Sequence, residues 1–267
     1  MPGGVEVIAT DLDRTLIWDD YVLRPRTLEA LRCAEAAGLR VIVCTGRMVQ
    51  SARRVLAPAG SHQPLVCYQG AAVIAPDGSW LLHEPIEREL AREVIAAVAA
   101  AGFGPNCYVD DELYVAEVTP EAERYASFQG IELHTVGDLV SWLEKGPTKL
   151  VCIGDPDALD GLAVVMRERF AGRLWVAKSL PFFLEFAAEG VSKSSAIAFL
   201  AERLGFARER TVTIGDGEND LDLVAWGGYG IAVENADPRV KALASWVCPP
   251  AAEEGVAQVI EALLDRS

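Results

Sequence analysis

The stretch Val5-Glu6-Val7-Ile8-Ala9-Thr10-Asp11-Leu12-Asp13-Arg14-Thr15-Leu16 decides how this chain is read. Residues 5–10 form a short, largely apolar and β-branched run, the pattern of a buried strand. Two carboxylates, Asp11 and Asp13, follow at its end with one residue between them. On extended backbone such side chains point the same way, so their charges repel unless a cation or a shared proton relieves them. A nucleophile beside a general acid, both near a divalent metal, accounts for the pair. A polar turn accounts for it as well.

Working outward, two more apolar strand-like runs end in polar residues that lead into a helix. Residues 39–44 run into Thr45-Gly46-Arg47, and 211–214 run into Gly215-Asp216-Gly217-Glu218-Asn219-Asp220. In an open parallel sheet, ligands bind beyond the carboxyl ends of the strands, so three such ends can share one crevice. Taken singly, each has a plain explanation. Thr45 and Gly46 suit a helix start, where free N–H groups also favour an anion. The 216–220 segment suits an acid-rich first turn, and its oxygen donors equally suit a hard cation such as Mg2+. In Gly190-Val191-Ser192-Lys193, Ser192 reads as an N-cap and Lys193 as a first-turn residue opposing the helix dipole. Taken alone, that lysine reads as exposed; held against carboxylates or phosphate, it gains charge-assisted hydrogen bonds.

Strand and helix alternate in the flanking regions. Helices are expected over 25–37, 48–56, 192–204, 219–225, 238–244 and 254–264. Strands are expected over 65–68, 71–74, 80–82 and 230–233, with Pro76-Asp77-Gly78 as a hairpin turn. The middle differs: helices over 87–101, 120–128 and 156–170 mix with strands over 106–109, 113–115, 131–136, 150–153, 174–177 and 182–186. That texture predicts an α+β module with an antiparallel sheet. The expected plan is an α/β core of 1–84 plus 189–267, with a mostly parallel, doubly wound sheet, interrupted by an inserted domain of 85–188.

Length and composition limit the function classes. The chain has 267 residues, 51% hydrophobic and 24% charged, which fits a globular protein of one large or two modest domains. No apolar run approaches the roughly 18 residues of a membrane span, and no basic stretch precedes a long apolar one as in a signal peptide. Six cysteines lie far apart with no C-x-x-C pair, as reduced core cysteines do, and His62, His83 and His134 show no metal-ligand spacing. A soluble, cytoplasmic protein is expected, with no membrane association. The net charge of −15, with no basic cluster beyond Arg53-Arg54, argues against nucleic acid as a partner. An anionic substrate then requires a local positive field.

Together the four segments resemble the four ordered motifs of the haloacid dehalogenase (HAD) superfamily of phosphotransferases. Asp11-Leu12-Asp13-Arg14-Thr15-Leu16 matches D-x-D-x-T-L, Thr45-Gly46-Arg47 the second motif, Lys193 the third, and Gly215 to Asp220 the fourth. The tail Gly230-Ile231-Ala232-Val233-Glu234-Asn235-Ala236, with Lys241 and Gly255-Val256-Ala257, is similar to the Cof-type branch, subfamily IIB. The long insert suits that branch's α/β cap. Two departures stand out: Arg14 replaces the usual glycine, and Gln69-Gly70-Ala71 stands where the branch shows Asn-Gly-Ala.

The resemblance implies a Rossmann-like core and a Mg2+-dependent phosphatase acting on small phosphate monoesters through an aspartyl-phosphate. Asp11 is the implied nucleophile, Asp13 the general acid and base, and Lys193 the fixed positive charge. Metal binding falls to Asp11, the Asp13 backbone carbonyl and Asp216, with Asp220 in the same acidic set. Substrate phosphate falls to Thr45, Gly46, Arg47, Lys193 and Asn219. Asn219 and Asp220 also orient Lys193 and metal-bound water. Tyr108, Asp110, Asp111, Glu112 and Lys178 are candidate readers of the leaving group, though each also reads as an ordinary loop residue. A monomer or homodimer is expected. The alternatives are a phosphomutase of the same superfamily and, further off, a metal-dependent glycosyltransferase or a non-catalytic phospho-ligand sensor.

Overall fold

The computed structural model describes residues 3–265, and they fall into two compact units. One comprises 3–46, 52–81 and 192–265; the other comprises 47–51 and 82–191. The sequence places the divisions a few residues away, at 84/85 and 188/189, and gives no sign that 47–51 group with the second unit.

The chain opens with β1 (Val7–Thr10), α1 (Pro25–Ala36), β2 (Arg40–Cys44), α2 (Val49–Leu56), β3 (Leu65–Cys67), β4 (Ala72–Ile74) and β5 (Trp80–His83). Every residue of β1 is buried, as its unbroken apolar pattern requires of a central strand. Pro25 starts α1, where its fixed φ suits the helix and its missing N–H leaves no bond unmade.

The second unit continues with α3 (Arg88–Ala100), β6 (Pro105–Val109), β7 (Glu112–Val115), α4 (Pro120–Gln129) and β8 (Leu133–Thr135). It ends with α5 (Leu139–Trp142), β9 (Lys149–Ile153), α6 (Pro156–Arg169), β10 (Leu174–Leu180) and β11 (Phe183–Ala188). Its six strands run in the order β10-β11-β9-β6-β7-β8. Val94, Val98, Leu162 and Met166 of α3 and α6 pack with Cys107, Leu150, Leu184 and Phe186 from the strands in one apolar core. Side-chain carboxylates cap both helices: Glu87 accepts from the N–H groups of Glu89 and Leu90, and Asp155 from those of Asp157 and Ala158. The sheet is not wholly antiparallel, because β7 and β8 pair in parallel. A parallel pair needs a crossover, and α4 between them supplies it.

The chain then returns to the first unit as α7 (Lys193–Leu204), β12 (Thr211–Gly215), α8 (Leu221–Trp226), β13 (Tyr229–Val233), α9 (Pro238–Leu243), β14 (Trp246–Cys248) and α10 (Gly255–Leu264). Eight strands form the order β14-β13-β12-β1-β2-β3-β4-β5. All pairs from β14 to β3 are parallel, and β3–β4 is antiparallel. Helix α1 packs on α10, and α7 and α9 both pack on α8. The fold is therefore mixed α/β with a mostly parallel central sheet.

Strand order reverses at β1, which pairs with β2 on one side and β12 on the other. That reversal opens a crevice at the carboxyl ends of these three strands. Two short elements, α5 and β14, have no counterpart in the sequence reading. Residues 219–225, expected as one helix, divide into a 3-10 turn over Glu218–Asp220 and then α8. No helix among the described residues is long and apolar enough to cross a membrane.

Candidate active site

The nucleophile candidate sits where β1 ends. Asp11 continues the sheet, its N–H donating to the Ile214 carbonyl at 2.9 Å. Leu12 then turns into the core, and its carbonyl accepts from the N–H groups of both Leu16 and Ile17, so the chain folds back at once. Asp13, half-buried, lies in that turn beside Ile17. Arg14 follows with φ +61°, and Thr15 is buried. Thr15 Oγ1 donates to Asp216 Oδ1 at 2.8 Å, which joins the first motif to the fourth.

Lys193 is fully buried. Its Nζ donates to Asp11 Oδ1 at 2.5 Å and to Asp220 Oδ1 at 2.6 Å. Ser192 caps α7: its Oγ accepts from the Ser195 N–H, and Ser195 Oγ accepts from the Ser192 N–H, each at 3.0 Å. The cap fixes the first turn and so aims Lys193 inward. An apparently exposed helix-end lysine is in fact the counter-ion of two buried carboxylates.

Asp220 organises the loop after β12. Its Oδ2 accepts from the N–H groups of Asp216 and Gly217, both at 3.0 Å. Gly215 is required here, because a Cβ on it would lie 2.4 Å from that of Asp220. Carboxylate oxygens of Asp11, Asp216 and Asp220 lie within 4.8 Å of one another. Lys193 and the loop N–H groups already engage both oxygens of Asp220, which leaves Asp11 and Asp216 with more free lone-pair capacity.

The electrostatics follow from this crowding. Burial, then Asp220, push the Asp11 carboxyl well above its ordinary value; Lys193 opposes them, while Asp216 and Asp13 add to the rise. Burial and Asp220 likewise push Asp216 up to about 7, against the hydrogen bond from Thr15 and the charges of Lys193 and Arg14. Burial alone would lower Lys193, but Asp11 and Asp220 outweigh it and hold the ammonium above its usual range. The cluster thus carries more negative charge than one buried lysine balances. An all-oxygen donor set of this kind fits a hard divalent cation.

The second motif ends β2. Thr45 is buried, its N–H bonded to the Val66 carbonyl and its own carbonyl accepting from the Gln69 N–H. Gly46 lies against Gln69, whose Nε2 would be 2.3 Å from any Cβ placed there. Gln69 Oε1 in turn accepts from Asn219 Nδ2 at 3.0 Å. Gln69, one of the two departures from the family pattern, is a buried strut between the second and fourth motifs. Its positive φ of 60° is a local mark of constraint that the sequence does not display.

Arg47 belongs to the second unit, where its Nη1 donates to Ser51 Oγ at 3.1 Å. The five candidate leaving-group readers are all paired within that unit. Tyr108 shares a hydrogen bond with Tyr125, and Asp110 pairs with Lys145. The Asp111 carboxylate accepts from the Val49 and Gln50 N–H groups, Glu112 meets His134, and Lys178 meets Asp160.

A chain with this sheet and these four clusters is recognisable as a hydrolase of one family. The family model of the haloacid dehalogenase-like hydrolases matches residues 8–260, and the chain belongs to that family. Among its relatives is an HMP-PP phosphatase of Klebsiella pneumoniae, 25% identical over 237 residues, 89% of this chain and 87% of that one. Phosphatase YwpJ of Bacillus subtilis is 23% identical and spans 97% of this chain and all of its own length, 100%. A solved structure from Thermotoga maritima superposes with a TM-score of 0.84 at 30% identity, covering 97% of each chain. The Cof-type phosphatase family expected from the motifs is the one found.

Proposed function

We propose that this hydrolase is a Mg2+-dependent phosphatase of small phosphate monoesters that works through an aspartyl-phosphate on Asp11. The observation that carries the reading is the buried Asp11 carboxylate held by Lys193, within reach of Asp216 and followed by Asp13. A covered carboxylate of fixed orientation is suited to attack phosphorus. As the Asp11 oxygen bonds to phosphorus, the ester oxygen leaves and takes a proton from Asp13. Asp13 then removes a proton from water, which attacks the aspartyl-phosphate and releases inorganic phosphate.

Asp11 and Asp216, with the Asp13 carbonyl, would hold Mg2+, which would supply the positive charge that lets one anion approach another. In this reading Asp220 supports the site by orienting Lys193 and the loop after β12. Thr45 and the Gly46 N–H hold the phosphate oxygens that are not transferred, and Gln69 keeps Asn219 beside them. The second unit selects the leaving group. The relative named for HMP-PP supports a small phosphorylated metabolite as the substrate class.

The test is a phosphate-release panel with Mg2+ over sugar, polyol and cofactor phosphates, with Asp11→Asn as control. Release that disappears in Asp11→Asn is expected, together with a phosphorylated wild-type species by mass spectrometry after acid quench. Undiminished turnover in Asp11→Asn overturns the mechanism. Isomerisation of an ester without release turns the reading toward a phosphomutase.

A further inference from the structure

Arg14 occupies a position whose backbone suits glycine. Its φ of +61° lies in the left-handed region that an L side chain disfavours. Its surroundings impose this conformation. Asn235 Nδ2 donates to the Arg14 carbonyl at 2.8 Å while Asn235 Oδ1 accepts from the Ala251 N–H at 2.9 Å, and the next residue, Thr15, is tied to Asp216. A glycine would meet the same demands more easily, so what this chain retains at position 14 is the side chain.

That side chain is placed but little used. The guanidinium carbon lies 5.3 Å from the centre of the Trp18 ring, which supports the planar group from one side. Its Nε is 4.0 Å from Asp216 Oδ2, too far for a hydrogen bond, and Arg14 donates no side-chain hydrogen bond to another described residue. A half-exposed ion pair at this distance adds little to stability. Asp216 is already held by Thr15.

Depth fixes what Arg14 can meet. Side-chain exposure rises from 0% at Lys193 through 7% at Asp11 and 13% at Asp216 to 36% at Arg14. Lys193 serves the reacting carboxylate at the bottom, and Arg14 stands on the solvent side of the same cluster. We propose that Arg14 is a specificity residue that takes a second anionic group, carboxylate or phosphate, on the leaving group of the substrate. The inference rests on the phosphatase reading above for its substrate, an ester anionic at both ends. A guanidinium offers two parallel N–H donors that match either anion, and an edge free of protein partners leaves that fork available.

The test compares esters with and without the second anion: glycerol 3-phosphate against 3-phosphoglycerate, and fructose 6-phosphate against fructose 1,6-bisphosphate. The wild-type chain is expected to favour at least one doubly anionic ester by ten-fold or more in kcat/KM, mainly through KM. Arg14→Gly brings that ratio to within two-fold of one, and Arg14→Lys falls between, since it keeps the charge and loses the fork. The two pairs separate carboxylate from phosphate. Arg14→Gly suits the local backbone, so its Tm is expected at or above that of the wild type. A wild-type ratio near one, or a ratio unchanged in Arg14→Gly, overturns the proposal.

Calorimetric titration with non-hydrolysable phosphonates separates this outcome from failure of the phosphatase reading. With Mg2+ present, 3-phosphonopropionate or propane-1,3-diphosphonate is expected to bind the wild type at least ten-fold more tightly than propylphosphonate, and Arg14→Gly to lose the difference. Absence of phosphate release with this binding preference intact removes the phosphatase reading and keeps Arg14 as an anion reader. Equal affinities for the three phosphonates overturn the role of Arg14.

Discussion

Thr15 Oγ1 and Asp216 Oδ1 meet at 2.8 Å although 201 positions separate them in the chain. Of the groups that hold Asp216 ionised, this hydrogen bond is the strongest, and it works against burial and the charge of Asp220. Thr15→Val preserves the shape and removes the donor. The variant is expected to lose about 1 kcal/mol of stability and to need several-fold more Mg2+ for half-maximal activity at pH 7. Metal titrations followed by activity and by Tm measure this, and an unchanged half-saturation in both rejects it.

Lys193 is the shared counter-ion of two buried carboxylates, Asp11 and Asp220. Lys193→Met leaves them facing each other, and removal of one partner from a buried pair typically costs about 3–5 kcal/mol. Urea unfolding is expected to show a loss of that order, with phosphate release gone. If that variant does not fold, Asp220→Asn carries the test. It keeps the volume, lowers the charge, and is expected to reduce turnover at least ten-fold with a smaller change in midpoint.

The acidic cluster couples stability to pH and metal. Folding raises the Asp216 pKa to about 7 and lifts Asp11 in the same direction. Over the window from about 4 to 7 the folded chain therefore holds protons that the unfolded chain has released, so stability falls as pH rises. A divalent cation competes with those protons and binds the folded form, so its benefit is greatest where they are gone. The Tm gain from Mg2+ is expected to be larger at pH 7.5 than at pH 5, in scans run with Mg2+ and with a chelator. Equal gains at both pH values contradict the coupling.

Gly46 is dictated by space, since its φ lies outside the left-handed region and any Cβ would meet Gln69 Nε2 at 2.3 Å. Gly46→Ala is expected to destabilise by about 1–3 kcal/mol through overpacking. In a Gln69→Ala background the same substitution is expected to do much less, and the double-mutant cycle reads the difference. Additive effects would place the strain elsewhere.

The three strand ends that build the site were legible because each couples an apolar run to an abrupt polar stop. Asp11, Thr45 and Asp216 are therefore marked by local pattern alone. What the sequence hid is short or shared. Helix α5 has four residues, too few for a 3.6-residue period to register. The parallel pairing of β7 and β8 depends on which edge α4 returns to, and no local pattern encodes that. Lys193 is legible only through its place among the four motifs, and the strut role of Gln69 is not legible at all, for one reason: burial is settled by distant segments, and taken alone each reads as an ordinary surface or loop residue.

The strand that carries Asp11 lies between β2 and β12, one neighbour close in sequence and the other some two hundred residues later. During synthesis from the N-terminus, β1 and β2 are available early, but β12 emerges only after the whole second unit has been made. Lys193 comes just ahead of it, and Asp216 and Asp220 just behind. Until then Asp11 has neither its counter-ion nor its companion carboxylates. The nascent chain thus carries its reactive group from the start but completes the surroundings of that group only when β12 joins β1.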